Sequence, residues 1–321
     1  MNAGQSAWRR LSAGAWGWLT ADGAPTDARR ENPDEDNRID WPRAVPYIAV
    51  HLACLGAFAV GVSPVALEVC LAMYVLRMFF VTAFLHRYFS HRAFRTSRAF
   101  QFVMGALACT AGQRGPLWWA SHHRHHHGHA DDDEDVHSPG RRGILWAHMG
   151  WFLTRSNYQT RWRFVRDWAR FPELRWLNRV DWIPSVALAA GCYGHGAWLQ
   201  ARAPELHTSG AQMLVWGFFV STILLYHATY TINSLAHRFG SRRFDTTDSS
   251  RNNLWLSLVT LGEGWHNNHH HYPATVRQGF YWWELDPTWY GLVLLSWTGL
   301  IRDLRPVPRE VLEHRRIGGR G

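Results

Sequence analysis

Apolar residues in this chain gather into long unbroken runs instead of recurring every second or every third to fourth position. Residues 45–65 contain no carboxylate and no arginine, and residues 66–85 carry only Glu68 and Arg77. Each run has about the twenty residues a helix needs to cross hydrocarbon. A second pair is read at 182–199 and 213–232, separated by a polar loop around 202–210. The pattern predicts an all-α integral membrane protein with about four transmembrane helices. A last apolar stretch, 289–301, is short for a crossing and has Trp289 and Tyr290 at its start, which predicts a segment lying at the interface.

Charge sets the expected orientation. Apart from histidine, every basic residue is arginine, and arginines crowd the N-terminal segment, the 87–179 region and the tail after His237. The turn after the first run has none, and the loop after the third has only Arg202. By the positive-inside rule this predicts a multi-pass protein with both termini cytoplasmic. The formal charge of +9 does not indicate nucleic acid, because the arginines flank apolar runs and no aromatic-basic platform accompanies them. Lipid headgroups and an acidic protein partner suit that charge better. Residues 1–40 are polar and lack the apolar core of a cleaved signal, so they are expected to be a disordered cytoplasmic extension. Residues 41–305 would form the membrane domain and 306–321 a basic tail. Cys54, Cys70, Cys109 and Cys192 sit singly in apolar stretches, as packing residues do.

The chemistry is carried by histidine. Twenty histidines include four clusters: His86-Arg-Tyr-Phe-Ser-His91, His123-Arg-His-His126-His127, Asn233-Ser-Leu-Ala-His237 and His266-Asn-Asn-His269-His270. On a helix, positions i, i+3 and i+4 share a face, with i+3 and i+4 splayed to either side. His126 and His127 could therefore serve two metals, as could His269 and His270. His86 and His91 would lie about 140° apart on a continuous α-helix, so they could share a site only if the helix ended between them. Together with His237 the clusters offer nine imidazoles. Imidazole suits Fe, Cu, Ni or Zn, but nine ligands for two ions exceed what a tetrahedral zinc pair takes. A carboxylate-type dimetal site is the competing reading, because Glu134-x-x-His137 and Glu263-x-x-His266 match its spacing. Against it, Glu134 falls in an acidic run, 131–135, that reads as solvated loop. His122, His125 and His129 read as bystanders, and His51 and His195 as polar groups packed within spans.

These clusters resemble those of the membrane fatty acyl desaturases, the stearoyl-CoA (Delta-9) group in particular, over about residues 70–273. Residues 86–92 resemble that family's first histidine box, 119–127 the second, 233–237 the third and 261–270 the last. The resemblance implies a cytoplasmic helical cap in which His86, His91, His123, His126, His127, His237, His266, His269 and His270 bind two Fe ions, with Asn233 reaching one of them through water. It implies an O2-dependent enzyme that introduces a cis double bond, at Delta-9, into a long saturated acyl chain. Gln113, Trp119 and Thr229 resemble residues that bend the family's acyl tunnel. Arg155 matches a residue that contacts coenzyme A, whereas Ser121 and Ser156 stand where the animal enzymes have Arg and Lys. That departure leaves CoA, carrier-protein and lipid-linked substrates open. No His-Pro-Gly-Gly heme segment occurs, so a separate redox protein such as a ferredoxin, a rubredoxin or cytochrome b5 is expected as electron donor. Hydroxylation or oxidative decarboxylation at the same site, and a membrane metal transporter, are the alternative readings. Tyr74 and Cys70 would lie about 18 and 24 Å below His86 on one helix face, where the family's tunnel ends, and are expected to set chain length.

Overall fold

The computed structural model describes residues 37–318. Most of the expected N-terminal extension, residues 1–36, lies outside the described residues, as do the last three residues of the tail. Two long helices open the described chain, α1 (Trp41–Val60) and α2 (Pro64–Ser90). Between them Gly61 adopts φ +64, a conformation open to a residue without Cβ. Ser63 then caps α2, its hydroxyl accepting from Ala66 N at 3.2 Å, and Pro64 enters the first turn. The turn therefore falls a few residues earlier than the apolar pattern suggested, because it is set by this Gly-Val-Ser-Pro sequence and not by hydropathy.

Three shorter helices follow: α3 (Arg98–Cys109), α4 (Pro116–His129) and α5 (Pro172–Arg179). Then come α6 (Ile183–Arg202) and α7 (Gly210–Ser234). Among the described residues α1, α2 and α7 are long and apolar enough to cross a membrane. α6 has a matching length of 20 residues but carries three glycines, His195, Gln200 and Arg202. Leu52, Leu55 and Phe58 of α1 and Leu67 and Leu71 of α2 are exposed. Water would penalise so extended an apolar band, and hydrocarbon does not. His195 is exposed on α6 and stacks on Trp198, so it is not packed within the span as expected.

α2 is bound to α7 by the buried Arg77, which donates to Ser221 Oγ at 2.5 Å and to Thr222 Oγ1 at 2.7 Å. The main core gathers around the second half of α2, where Phe84, Leu85 and Phe89 meet Phe94, Met104, Leu117 and Trp168. The chain closes with α8 (Leu254–Val259), α9 (His266–His271) and α10 (Pro287–Trp297). α10 covers most of the stretch expected at the interface, and Leu294 and Trp297 on it are exposed. Strands β1 (Arg95–Thr96) and β2 (Ile301–Arg302) pair antiparallel and join the exit of α2 to the exit of α10. The described part of the tail is not free. Ile317 N donates to Arg243 O, and Asp245 N donates to Arg315 O, each at 2.8 Å.

Candidate metal centre

Four segments bring nine histidines together, and each is held by its own local device. The last part of α2, Phe80–Ser90, is π-helical, with His91 N bonded to His86 O at 3.3 Å. An i to i+5 bond stacks residues five apart, so His86 and His91 lie on one face with ring centroids 5.0 Å apart. The helix ends at Ser90, between the two histidines as the spacing required, but it widens first, a feature the sequence reading lacked. Arg124, between two histidines of the second cluster, closes this helix end by donating to Phe89 O and Ser90 O, each at 2.8 Å.

α4 carries His123, His126 and His127. Its N-terminus is capped from α5, because Asn178 Oδ1 accepts from Leu117 N at 3.1 Å and Trp118 N at 2.8 Å. Gly115 makes room for this: a Cβ there would sit 2.7 Å from the Asn178 backbone. His237 follows the end of α7. α9 carries His266, His269 and His270, and Asn252 Oδ1 caps it by accepting from Asn267 N at 3.0 Å and Asn268 N at 3.1 Å. The paired asparagines of that cluster are buried braces: Asn267 Oδ1 accepts from Arg243 N and Phe244 N, and Asn268 donates to Gln278 O and Glu284.

The nine rings sort into two groups. His86, His91, His123, His127 and His269 point their ring nitrogens within 4.8 Å of one another, and so do His126, His237, His266 and His270. His126 and His127 fall in different groups, as do His269 and His270. In the first group Nε2 atoms approach at 2.8 Å (His91 and His123, His127 and His269) and 3.0 Å (His123 and His127, His86 and His269). In the second, His237 and His266 Nε2 are 3.0 Å apart. Two imidazoles at right angles on one ion, with bonds of about 2.0–2.1 Å, hold their nitrogens about 2.9 Å apart.

The outer ring nitrogens fix the tautomers. Nδ1 of His86 faces Glu263, and Nδ1 of His126 lies 3.2 Å from Asp135. Nδ1 of His237 lies 3.2 Å from Asp131, and that of His270 is 2.7 Å from Asp248. A carboxylate only accepts, so each Nδ1 carries the proton and each Nε2 turns a lone pair inward. His270 Nε2 has no hydrogen-bond partner among the described residues. Burial, reinforced by neighbouring histidines, holds His123, His127, His266 and His269 well below the ordinary imidazole range, hence neutral. Burial alone would raise the carboxyls of Asp131, Asp135 and Asp248. The histidines facing them outweigh it and keep all three ionised. Lone pairs converging at these distances repel one another unless a cation sits among them, so the donor set fits two metal ions.

The carboxylates correct the sequence reading. Asp135 is buried and Asp131 faces His237, so the acidic run is not solvated loop at those two positions. Glu134 is exposed and lies outside both groups of nine, near His125 and His129. Glu263 braces His86 from outside and is itself held by Arg87, whose guanidinium also grips Asp286 at 2.8 and 3.0 Å. The sequence reading passed over Asp131, Asp135, Asp248 and Asp286 as supports, and it weighed Glu263, three residues before His266, as a metal ligand and not as a brace for His86. A carboxylate run a few residues after a histidine triplet was the signal for the first two.

A cavity of about 520 Å³ adjoins the first group and reaches Trp119, His123 and Asn233. Gln113, Trp119 and Thr229 all line it. Gln113 Nε2 donates to Thr229 Oγ1 at 3.1 Å, and Trp119 stacks on His123 with centroids 4.9 Å apart. Cys70 and Tyr74 are not on its wall. Cys70 is buried elsewhere and the Tyr74 hydroxyl donates to Val259 O at 2.5 Å. Phe218 and Phe219 of α7 are among the residues that line it. Arg155 is largely exposed and Ser121 is buried, donating to Trp118 O, so neither lines the cavity.

Comparison with known proteins agrees with this geometry. The fatty acid desaturase family model matches residues 62–293. The chain is 35% identical over 71% of its length to the sn-2 palmitoyl-lipid 9-desaturase of Nostoc sp. (strain 36), covering 77% of that protein. It is 33% identical over 84% of its length to the sn-1 stearoyl-lipid 9-desaturase of Anabaena variabilis, covering 94%. The acyl-CoA C20 Delta5-desaturase of Anemone leveillei is 35% identical over 82% of this chain and 80% of its own. The chain belongs to the fatty acid desaturase family and is a fatty acyl desaturase, an oxidoreductase of lipid metabolism.

Proposed function

We propose that this desaturase holds two irons between its histidine groups and uses O2 to place a cis double bond at Delta-9 of a long saturated acyl chain. The observation that carries the reading is the division of nine inward-facing imidazoles into five and four, beside an apolar cavity. Five nitrogens on one ion exceed tetrahedral zinc and suit iron with a position left for oxygen. When bound, the iron pair supplies the oxygen activation needed to break unactivated C–H bonds, for which acid–base groups are too weak.

The chain's own residues decide which bond reacts. Gln113 and Thr229 fix a constriction across the cavity, and Trp119 holds the acyl chain against His123. A bend there presents two neighbouring methylenes in the conformation that yields a cis alkene. Asn233 is read as reaching one of the two ions through water. Two hydrogens leave the chain, two electrons arrive from a donor, two protons come from solvent, and O2 leaves as two waters.

The donor is a separate acidic protein of the ferredoxin, rubredoxin or cytochrome b5 kind, docking on the arginine-rich face. α6 counts as the fourth crossing, and the histidine cap and both termini face the cytoplasm. The test is lipid analysis of a host that expresses the protein and is fed an isotopically labelled saturated acid. A labelled cis-9 product is expected. A hydroxylated, shortened or unmodified chain would overturn the reading.

A further inference from the structure

A second cavity, of about 360 Å³, also meets the histidine centre, and its walls differ from those of the acyl cavity. The acyl cavity is walled chiefly by apolar side chains, among which a bare cation is costly. The second is polar: Asp132, Asp245 and Asp248 line it against the single guanidinium of Arg315. In a chain of formal charge +9 this is a locally negative hollow, which concentrates cations. His127 and His270 line it too, one from each group of rings, with centroids 4.5 Å apart. An ion at that end is within reach of both centres. His129 and Asp132 line the same cavity nearer solvent, with side chains 27% and 51% exposed against 1% for His270.

The outer end carries a donor set of its own. His125 and His129, one turn apart on α4, point about 130° away from the mean direction of His123, His126 and His127, so they are not ligands of the main centre. With Glu134 they bring one ligand atom each within 4.8 Å of one another. Asp132 accepts from His129 Nδ1 at 3.0 Å, which leaves Nε2 to turn a lone pair toward Glu134 Oε2, 3.7 Å away. A cation between them removes that repulsion. Nδ1 of the buried His125 has no hydrogen-bond partner among the described residues. Glu134 is 63% exposed and free to rotate onto an ion. Two imidazoles and a carboxylate suit Fe2+ and leave coordination positions open for exchange.

We propose that this cavity is the port by which Fe2+ enters, and that His125, His129 and Glu134 form a transit site at its mouth that captures the ion and passes it inward to His127 and His270. The proposal rests on the two-iron reading above and adds a route to it. Metal-free full-length protein, purified anaerobically in detergent, is mixed with Fe2+, and the iron retained after passage over a chelating resin is followed in time. The double variant His129→Asn, Glu134→Gln is expected to take up iron about tenfold more slowly, because capture at the mouth is lost. Its final content should equal that of the wild type, two irons per chain. Independently, iron-loaded wild type should bind one further Zn2+ in equilibrium dialysis with its iron retained, and the double variant none. Uptake at the wild-type rate in the double variant, a lower final iron content in it, or no further Zn2+ on the iron-loaded wild type would overturn the proposal and leave the two-iron reading standing. A wild type that never holds two irons would refute both.

Discussion

Replacing Asp248 by Asn changes two atoms' worth of chemistry and almost no volume, and it should empty the four-histidine centre. In the structure Asp248 Oδ2 accepts from His270 Nδ1 at 2.7 Å, while Oδ1 accepts from Ser250 N at 2.9 Å and Thr246 Oγ1 at 3.1 Å. Both oxygens are thus committed as acceptors. An asparagine has one acceptor oxygen and one donor NH2. If its oxygen keeps Ser250 N, the NH2 faces His270 Nδ1 and forces the ring into the other tautomer, with a proton on Nε2 where the lone pair is needed. If its oxygen turns to His270 instead, the NH2 confronts the Ser250 amide in a buried site. Loss of a carboxylate partner of this kind weakens metal binding about 10–100-fold, or about 1.4–2.7 kcal/mol. The assay is iron per chain after competition with a chelator of graded strength, on detergent-purified protein, with Asp133→Asn as control because Asp133 is 85% exposed. D248N should lose about half its iron at chelator levels that leave the control loaded. Wild-type retention in D248N would refute the tautomer argument and with it the assignment of His270.

Further outcomes follow from other parts of the site. His123→Ala should abolish turnover while the protein still inserts in the membrane, checked by product analysis beside a membrane-extraction assay. Arg87→Leu strands Glu263 and Asp286 as buried carboxylates without a cation, which should destabilise the protein by about 3–5 kcal/mol, read as a fall in thermal midpoint. Thr229→Val removes the 3.1 Å bond to Gln113, worth about 1 kcal/mol, and should lower kcat/KM severalfold and admit a second double-bond position with iron unchanged. Turnover should fall as salt rises from 0.05 to about 0.5 M, because an exposed arginine surface attracts its donor through screened charge. A flat salt profile would count against an acidic donor.

The histidines were legible because a metal site needs many copies of one rare side chain at fixed helical offsets, and offsets survive in a one-dimensional string. His123, His126 and His127 show this: their spacing alone separates 126 from 127, and the structure puts them in different groups. Long-range supports leave no such trace. Asp131 and Asp248 look like ordinary loop acids until the chain folds them against His237 and His270. The pairing of His86 with His91 failed as an α-helical argument because helix type, not helix presence, was the missing variable. Tyr74 was assigned by depth along a helix, which fixes height but not azimuth, and its hydroxyl turns to Val259 instead of to the cavity. The apolar runs gave three helices cleanly. The fourth, α6, is diluted by glycine and polar residues.

The widened end of α2 also bears on how this sequence tolerates change in length. A π-helical stretch is equivalent to an α-helix that has absorbed an extra residue without shifting the elements beyond it. Deleting one residue within 80–85 would let those turns tighten toward α geometry, in which His86 and His91 lie about 140° apart and no longer share a face. Natural variants of this chain are therefore expected to keep an invariant residue count from Arg77 to His91, a register set by the inward-facing histidines at one end and by Ser221 and Thr222 at the other.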